Sequence, residues 1–182
     1  ASGSADVNYL TNVNGTLLFQ ADDGTHGSEL WRSNGTSSGT TLVRDINVSG
    51  AAQLRYLTNV NGTLFFQAFD SSGYELWKSD GTATGTALVK DIVVGANSSN
   101  PGNLTNVNGT LFFVAYDFTS GYELWKSDGT ATGTVRVADI AAGSGGSYPG
   151  TLTNVNGVLY YRATDNTNGI ELWKSDGTVT GT

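Results

Sequence analysis

Acidic residues recur at fixed places along the chain, and their pairing is the first feature that could do chemistry. One Asp and one Glu flank the same short segment in each of four similar stretches. Two carboxylates that point the same way could hold Ca²⁺ together with backbone carbonyl oxygens. In the structural alternative, the Asp bonds backbone amides of its own turn, and the Glu pairs with a Lys or a backbone donor of the next unit. The candidate metal ligands are Asp23, Glu29, Asp70, Glu75, Asp117, Glu123, Asp165 and Glu171.

Paired carboxylates also serve glycoside hydrolysis, which needs two of them across the scissile bond. A catalytic site is normally made once, from different residues, whereas these carboxylates recur in every unit. The chain has no cysteine and a single histidine, His26. Cysteine nucleophiles and His-pair metal sites are therefore excluded, and no serine has a His partner that could activate it. We predict that the protein is not an enzyme and has no cofactor, unless the carboxylates bind Ca²⁺.

Aromatic residues close to the same segment differ between the stretches and are the second candidate for binding. Phe69 and Tyr116 precede the recurring Asp, and Tyr74 and Tyr122 come directly before Glu-Leu-Trp. Exposed aromatic rings beside Asp and Asn can stack on sugar rings while the polar groups bond the hydroxyls. Equally, they can cover a hydrophobic rim or form a subunit contact. We predict these four residues as the ligand-binding set if the protein binds a ligand here.

The stretches are copies of one unit. The phrase Leu-Thr-Asn-Val-Asn-Gly begins at Leu10, Leu57, Leu104 and Leu152, so the steps are 47, 47 and 48 residues. Glu-Leu-Trp follows in each unit and contains every Trp of the chain. Helical repeats of this period need long amphipathic stretches, and the chain has none. A period of about 40 to 50 residues with short strands is typical of propeller blades.

Each unit is predicted to contain four strands. Asn61-Gly62 is typical of a tight hairpin between the first and second strands, because both residues tolerate positive φ. Leu76 and Trp77 are consecutive on the third strand and must point to opposite faces, so both faces of a blade are predicted to be buried. The fold class is all-β: a β-propeller of four tandem four-stranded antiparallel blades in one domain, 1–182, with the last blade lacking its outer strand. The blades are approximately 8–50, 51–98, 99–146 and 147–182.

The open edge of the last blade bears on assembly. An unpaired edge strand promotes association, so self-association is expected, as a homodimer or a longer array. Four blades could instead close a small ring by themselves. Two chains could also form one eight-bladed ring, in which the open edge gains a neighbour.

Charge and hydropathy narrow the choice of partners. The formal net charge is −7, and nucleic-acid binding needs a basic face, so nucleic acid is not expected as a partner. No run of 18 apolar residues occurs in the sequence, and a membrane-spanning helix is not expected. Because the acidity comes from the repeated motifs, it says little about other partners.

The repeated phrases 75–82 and 123–130, both ELWKSDGT, resemble the ELWxxDGT tandem repeats of secreted bacterial proteins. The first unit departs from this pattern, with Arg32 for Lys and Asn34 for Asp. The resemblance implies an extracellular or cell-surface repeat protein of bacterial origin and no established activity. The unit also resembles a WD-repeat blade, although the His of the WD-repeat hydrogen-bond network is missing.

These observations predict a non-catalytic extracellular scaffold, or an adhesion or protein-interaction module, built as a β-propeller. The alternative is a multivalent carbohydrate-binding lectin with one shallow site per blade. In both cases, the expected ligand is a protein or a glycan, and repeat folds usually bind through loops on one face.

Overall fold

The computed structural model describes residues 4–182, in which fifteen strands form four antiparallel sheets. In every sheet the strands lie side by side in chain order, and the last sheet has three strands where the others have four. The prediction of an all-β, four-bladed repeat with an incomplete last blade is therefore confirmed. Residues 4–182 contain no helix with the length and hydrophobicity of a membrane span.

The same strand pattern recurs in each blade, which follows from the repeated sequence. The first blade contains β1 (Asn8–Val13), β2 (Thr16–Asp22), β3 (Ser28–Ser33) and β4 (Thr41–Arg44). The second contains β5 (Arg55–Val60), β6 (Thr63–Asp70), β7 (Gly73–Ser79) and β8 (Ala87–Lys90). The third contains β9 (Gly102–Val107), β10 (Thr110–Asp117), β11 (Gly121–Ser127) and β12 (Val135–Arg136), and the fourth contains β13 (Gly150–Val155), β14 (Val158–Thr164) and β15 (Ile170–Ser175).

The turn between the first two strands of each blade uses Asn-Gly as the sequence predicts. Asn61 has φ +51° and Gly62 has φ +83°, the positive pair that a tight type I′ hairpin requires. The side chain of Asn59 reinforces this turn, because its Oδ1 accepts the backbone N–H of Gly62 at 2.9 Å. The equivalent turns at Asn14, Asn108 and Asn156 have the same positive φ.

The first strand of each blade is the innermost one. β1 lies beside β5, β5 beside β9, and β9 beside β13, so these four strands surround a common axis. The fourth strands, where present, lie at the far edge of each sheet. The sequence could not assign the inner strand, because in a sheet whose strands lie in chain order either edge strand could face the axis.

Hydrophobic side chains fill a layer between each pair of consecutive blades, which we call a junction. On adjacent positions of β6, Phe66 packs into the junction with the first blade and Phe65 into the junction with the third. Trp77 and Leu76 of β7 separate in the same way. Both faces of a middle blade are thus buried, as the alternation in its strands predicts.

Three junctions join the four blades, and no hydrophobic cluster within residues 4–182 joins the fourth blade to the first. The four blades therefore form an open arc, and not the small closed ring that four blades could also have formed. On the outer face of the fourth blade Leu172 is exposed, whereas on that of the first blade Phe19 and Ala21 are buried and Trp31 is half-buried.

Candidate functional site

The Glu of the Glu-Leu-Trp motif is fully buried in the second and third blades, where it holds the loop that leads to the next blade. The backbone N–H of Ser99 donates to Oε1 of Glu75 at 2.8 Å. The Ser99 Oγ–H donates to Oε2 of the same carboxylate. Glu123 accepts the same two hydrogen bonds from Ser147. These carboxylates therefore fasten the blade to its following loop.

Glu29 of the first blade also holds the loop that follows its blade, but it accepts hydrogen bonds from different donors. The backbone N–H groups of Ile46 and Ala52 donate to its carboxylate at 2.8 and 3.0 Å, and the N–H of Asn47 donates at 3.3 Å. Glu171 of the fourth blade differs from the other three, because its side chain is exposed. Three of the four predicted Glu ligands thus direct their oxygens at backbone amides.

Burial controls the protonation of these three groups. Burial raises the pKa of Glu29 and of Glu75 from the ordinary 4.5 to about 7, although the hydrogen bonds from backbone N–H groups act in the opposite direction. Burial also raises the pKa of Glu123. The folded protein therefore holds these carboxyl protons more tightly than the unfolded chain does.

The predicted Asp ligands lie at the outer tip of the hairpin between the second and third strands, and each one caps its own turn. Asp23 Oδ1 accepts the backbone N–H groups of Thr25 and His26, both at 2.9 Å. Its Oδ2 lies 2.8 Å from Nδ1 of His26. In the other units, the Asp Oδ1 likewise accepts backbone N–H groups: Asp70 from Ser72, Asp117 from Thr119 and Ser120, and Asp165 from Thr167 and Asn168.

Hydrogen bonds to the ionised form explain the low pKa of Asp23. The backbone N–H of His26, its side chain and the N–H of Thr25 lower the pKa of Asp23 to about 2. The Asp23 carboxylate in turn raises the pKa of His26. Within residues 4–182, no three His, Asp or Glu side chains are grouped closely enough to hold a metal ion. Calcium binding is one of two interpretations of these carboxylates, and a chelator experiment tests it.

The four predicted aromatic ligands form two cross-strand pairs beside these turns. Phe69 on β6 is opposite Tyr74 on β7, with ring centroids 4.9 Å apart. Tyr116 on β10 is opposite Tyr122 on β11, with centroids 5.3 Å apart. All four rings are half-buried, so each pair offers part of its surface to solvent.

The second-blade pair is held from one side by polar neighbours. The Tyr74 hydroxyl donates to Oε1 of Gln53 at 2.6 Å. The Arg55 guanidinium lies 5.7 Å from the centre of the Tyr74 ring, a cation–π distance. This ring is therefore fixed in orientation.

The third-blade pair belongs to a larger group, which we call the aromatic platform and define as Tyr116, Phe118, Tyr122 and Tyr148. Phe118 meets Tyr116 edge to face at 5.6 Å and 82°, and Tyr148 lies 5.9 Å from Tyr122. Phe118 is 63% exposed and Tyr148 is 62% exposed. Sequence reasoning missed Tyr148, which lies in the loop before β13 and has φ +48°.

The outer blades lack aromatic pairs at this register. Ser28 stands opposite Asp22 in the first blade, and Ile170 stands opposite Thr164 in the fourth. The aromatic surface at the hairpin tips therefore lies on the two middle blades and does not recur in every unit.

A second concave site lies at the axis and was not predicted. The inner strands surround a cavity of about 430 Å³, which is lined by Tyr9, Tyr56, Asn103 and Thr151 at equivalent positions of the four units. All four residues have positive φ, between +53° and +59°. Each lies where the pairing between the first and second strands is irregular. The sequence alone could not predict that these residues line a cavity, because it does not show which strand of each blade is innermost.

Comparisons with known proteins agree with this architecture. The chain is similar in structure to a prolyl endopeptidase, at TM-score 0.50 and 12% identity, over 88% of this chain and 24% of that one. It is also similar to puromycin hydrolase, at TM-score 0.56 and 16% identity, over 97% of this chain and 28% of that one. The chain thus spans about a quarter of the length of these two enzymes. The sequence matches no protein-family model and no curated protein.

The regions of similarity are β-propeller domains, and at these identities the similarity shows the fold alone. Together with the four radially arranged sheets, it defines the chain as a β-propeller-type tandem-repeat protein. The activities of the two enzymes are not carried over to this chain.

Proposed function

We propose that the protein is a non-catalytic, extracellular scaffold or adhesion module that binds a protein partner through the aromatic platform of the third blade. The repeated polar residues support a scaffold role, because their hydrogen-bonding groups are directed at the chain's own backbone. Glu29, Glu75 and Glu123 hold loops, and the Asp residues at the hairpin tips cap turns.

The observation that carries the binding proposal is the exposure of Phe118 and Tyr148 at 63% and 62%. Large aromatic side chains are enriched in the centres of protein interfaces, where they supply much of the binding energy. Both rings are supported from below by half-buried tyrosines, which limits the entropy lost when a partner binds.

A carbohydrate ligand is the second candidate. Tyr116 and Tyr122 provide ring faces, while Asp117 on the same hairpin carries carboxylate oxygens that could bond sugar hydroxyls. Since the outer blades lack the aromatic pair, this candidate now has two shallow sites, on the middle blades, in place of one site per blade.

One pair of variants tests the site and separates the candidates. The double variant Phe118→Ser/Tyr148→Ser removes the exposed rings, and Val94→Ser is the control, because Val94 is an 83% exposed residue on a different loop. The probes are a defined glycan array and a panel of immobilised extracellular-matrix proteins. We expect binding to a matrix protein that weakens at least about tenfold in the double variant and is unchanged in the control.

Other outcomes have distinct meanings. Glycan binding that the double variant loses would replace the protein partner with a sugar. Binding that survives the double variant, or no binding to either panel, would contradict the platform as the binding site. Turnover of a glycoside or ester panel by protein free of contaminating enzymes would contradict the non-catalytic assignment.

The extracellular location rests on the resemblance of 75–82 and 123–130 to the ELWxxDGT repeats of secreted bacterial proteins. Protease treatment of intact source cells, followed by blotting of cells and medium, tests it. We expect the protein in the medium or in the protease-sensitive surface fraction. A protease-resistant, cell-internal pool would contradict the location.

A further inference from the structure

A polar cleft lies at the junction between the first and second blades, beside the axial cavity. It has a volume of about 290 Å³. We call it the polar cleft and define it by its polar side chains, which are Asn8, Tyr9, Gln20, Gln53 and Arg55. Tyr9 also lines the axial cavity of about 430 Å³, so the two cavities adjoin at this ring.

The charge of the polar cleft is opposite to that of the chain. The formal net charge is −7, yet within residues 4–182 no Asp or Glu lines either the polar cleft or the axial cavity. Arg55 is the charged residue among those that line them. Because an unopposed cation in a concave surface attracts anions locally, the cleft can bind an anion in spite of the net charge.

The guanidinium of Arg55 has donors to spare. Within residues 4–182 it makes no hydrogen bond and no ion pair. Its contact with the Tyr74 ring, 5.7 Å from the ring centre, is a cation–π contact and leaves the N–H groups unused. The other basic side chains of the first three blades donate to a carbonyl oxygen or pair with a carboxylate, and they are Arg32, Arg44, Lys78, Lys90, Lys126 and Arg136.

The neutral side chains of the polar cleft can bond hydroxyl groups. Gln53 Oε1 accepts the Tyr74 hydroxyl, which leaves the amide nitrogen of Gln53 to donate to a ligand. Asn8 and Gln20 add two more amides on the first-blade side of the cleft. Amide groups beside an exposed aromatic ring, here Tyr9, are a combination that binds sugars through their hydroxyls and one ring face.

The backbone beside the cleft is held in an unfavourable conformation. Tyr9 has φ +56° and Tyr56 has φ +59°, values that bulky residues rarely adopt. The third unit has Asn103 at the equivalent position, and asparagine tolerates positive φ better. Backbone strain of this kind persists at binding sites, where the side chain itself is needed.

We propose that the polar cleft binds an acidic sugar, a hexuronic acid unit. Arg55 holds the carboxylate, because the planar guanidinium matches a carboxylate with two parallel hydrogen bonds. The amides of Gln20 and Gln53 bond the ring hydroxyls, and the Tyr9 ring covers one face of the sugar. The proposal does not rest on the aromatic platform, which lies on the third blade and the loop before β13.

The ligand class is tested by NMR titration of the labelled protein with three probes, which are glucuronic acid, glucose and lactate. Glucose has the same kind of ring without the carboxylate, and lactate has a carboxylate and a hydroxyl without the ring. We expect glucuronic acid to bind at least about tenfold more tightly than either, since a charge-assisted hydrogen bond contributes that much. Equal binding of glucose would overturn the role of Arg55, and equal binding of lactate would overturn the sugar.

A charge-matched pair of variants locates the site. Arg55→Gln should weaken glucuronic acid binding at least about tenfold and leave glucose binding unchanged. Lys174→Gln removes the same unit of charge at an exposed position of the fourth blade that lines neither cavity, and it should bind as the wild type does. Equal losses in the two variants would show attraction by overall charge and would overturn the site, as would the absence of any chemical-shift change with glucuronic acid.

The aromatic platform is excluded by the variant that already tests it. Phe118→Ser/Tyr148→Ser should bind glucuronic acid as the wild type does, whether or not the platform binds a protein. Loss of glucuronic acid binding in this variant would place the acidic sugar on the platform and overturn the polar cleft.

Tyr9→Asn separates a binding role from a structural one. Asparagine relieves the strain at positive φ but removes the ring, so the urea midpoint should stay equal or rise while glucuronic acid binding weakens. A ring that only supports the fold would give the opposite pattern. A lower urea midpoint with unchanged binding would therefore overturn the role of Tyr9 in the cleft.

Discussion

Ser99 donates from both its backbone N–H and its hydroxyl to the buried carboxylate of Glu75, across the loop that connects the second blade to the third. The same relationship recurs between Ser147 and Glu123 one unit later. A buried acid at each connection makes the stability of the arc depend on pH.

Stability should fall as pH rises from about 4.5 to about 7, because burial raises the pKa of Glu29 and Glu75 over that range. There the folded state binds more protons than the unfolded chain, so the free energy of unfolding decreases with pH, by on the order of 1 to 3 kcal/mol per buried Glu. Urea unfolding at a series of pH values measures it. Glu75→Gln should flatten the slope, and Glu171→Gln, at an exposed position, should keep it. An equal slope in wild type and Glu75→Gln would contradict this role.

At lower pH the dependence reverses, and stability should fall as pH falls. The reason is that turn hydrogen bonds hold the pKa of Asp23, Asp80 and Asp165 below the ordinary 3.8. Their stabilisation is complete above 3.8 and is lost as pH falls towards the folded-state values. We therefore expect maximal stability between the ordinary values of the two acids, 3.8 and 4.5. A maximum above pH 7 in the same urea series would contradict this balance.

Asn106→Ala should destabilise the arc by about 1 to 2 kcal/mol. The variant loses the hydrogen bond to the Asn59 oxygen and the one that its Oδ1 accepts from Gly109. Asn97→Ala, at an exposed loop position without a side-chain hydrogen bond in residues 4–182, should change stability by less than about 0.5 kcal/mol. Thermal or urea unfolding distinguishes the two, and equal effects would argue against these asparagine hydrogen bonds as a stabilising feature.

Gly121→Ala should cost more than Gly169→Ala, although both glycines occupy the same turn of their units. A Cβ at Gly121 would lie 2.6 Å from the backbone nitrogen of Gly146, whereas a Cβ at Gly169 meets nothing within 4 Å. Both have positive φ, so both variants incur about 1 to 2 kcal/mol of backbone strain, and only Gly121→Ala adds a steric clash. A melting temperature lowered equally in both would show that the loop before β13 does not need this close approach.

A chelator should leave the melting temperature unchanged. The carboxylates of Glu29, Glu75 and Glu123 accept backbone hydrogen bonds, so no loss of native-state stabilisation is expected when divalent ions are removed. Scanning calorimetry with EDTA, with excess Ca²⁺ and with neither makes the comparison. A melting temperature that falls with EDTA and recovers with Ca²⁺ would revive the metal site.

The blade pattern could be predicted because its signals are local. Asn61-Gly62 specifies a hairpin, and the adjacent Leu76 and Trp77 require two buried faces. The role of Glu29 could not be decided, since its donors Ile46 and Ala52 lie 17 and 23 residues further along the chain. From the sequence alone, both the hydrogen-bonding and the metal-binding interpretation of this carboxylate therefore stayed open.

The binding surfaces were only partly predictable for a related reason. The pairs Phe69–Tyr74 and Tyr116–Tyr122 follow from the register of a tight hairpin. Tyr148 joins its neighbours through a loop that connects two blades, and Tyr9 and Tyr56 line an axial cavity that only the packing of four units creates.

The junctions have one more consequence, for how such a gene can change. Each junction joins the same two kinds of face through equivalent hydrogen bonds. The Asn59 side chain donates to the backbone oxygen of Asn12, and the Asn106 side chain donates to that of Asn59. Deletion of one whole repeat by unequal recombination would bring together two faces that already fit, and duplication would insert a blade with both faces matched. The length of the array can thus drift in steps of one repeat without a new core having to evolve.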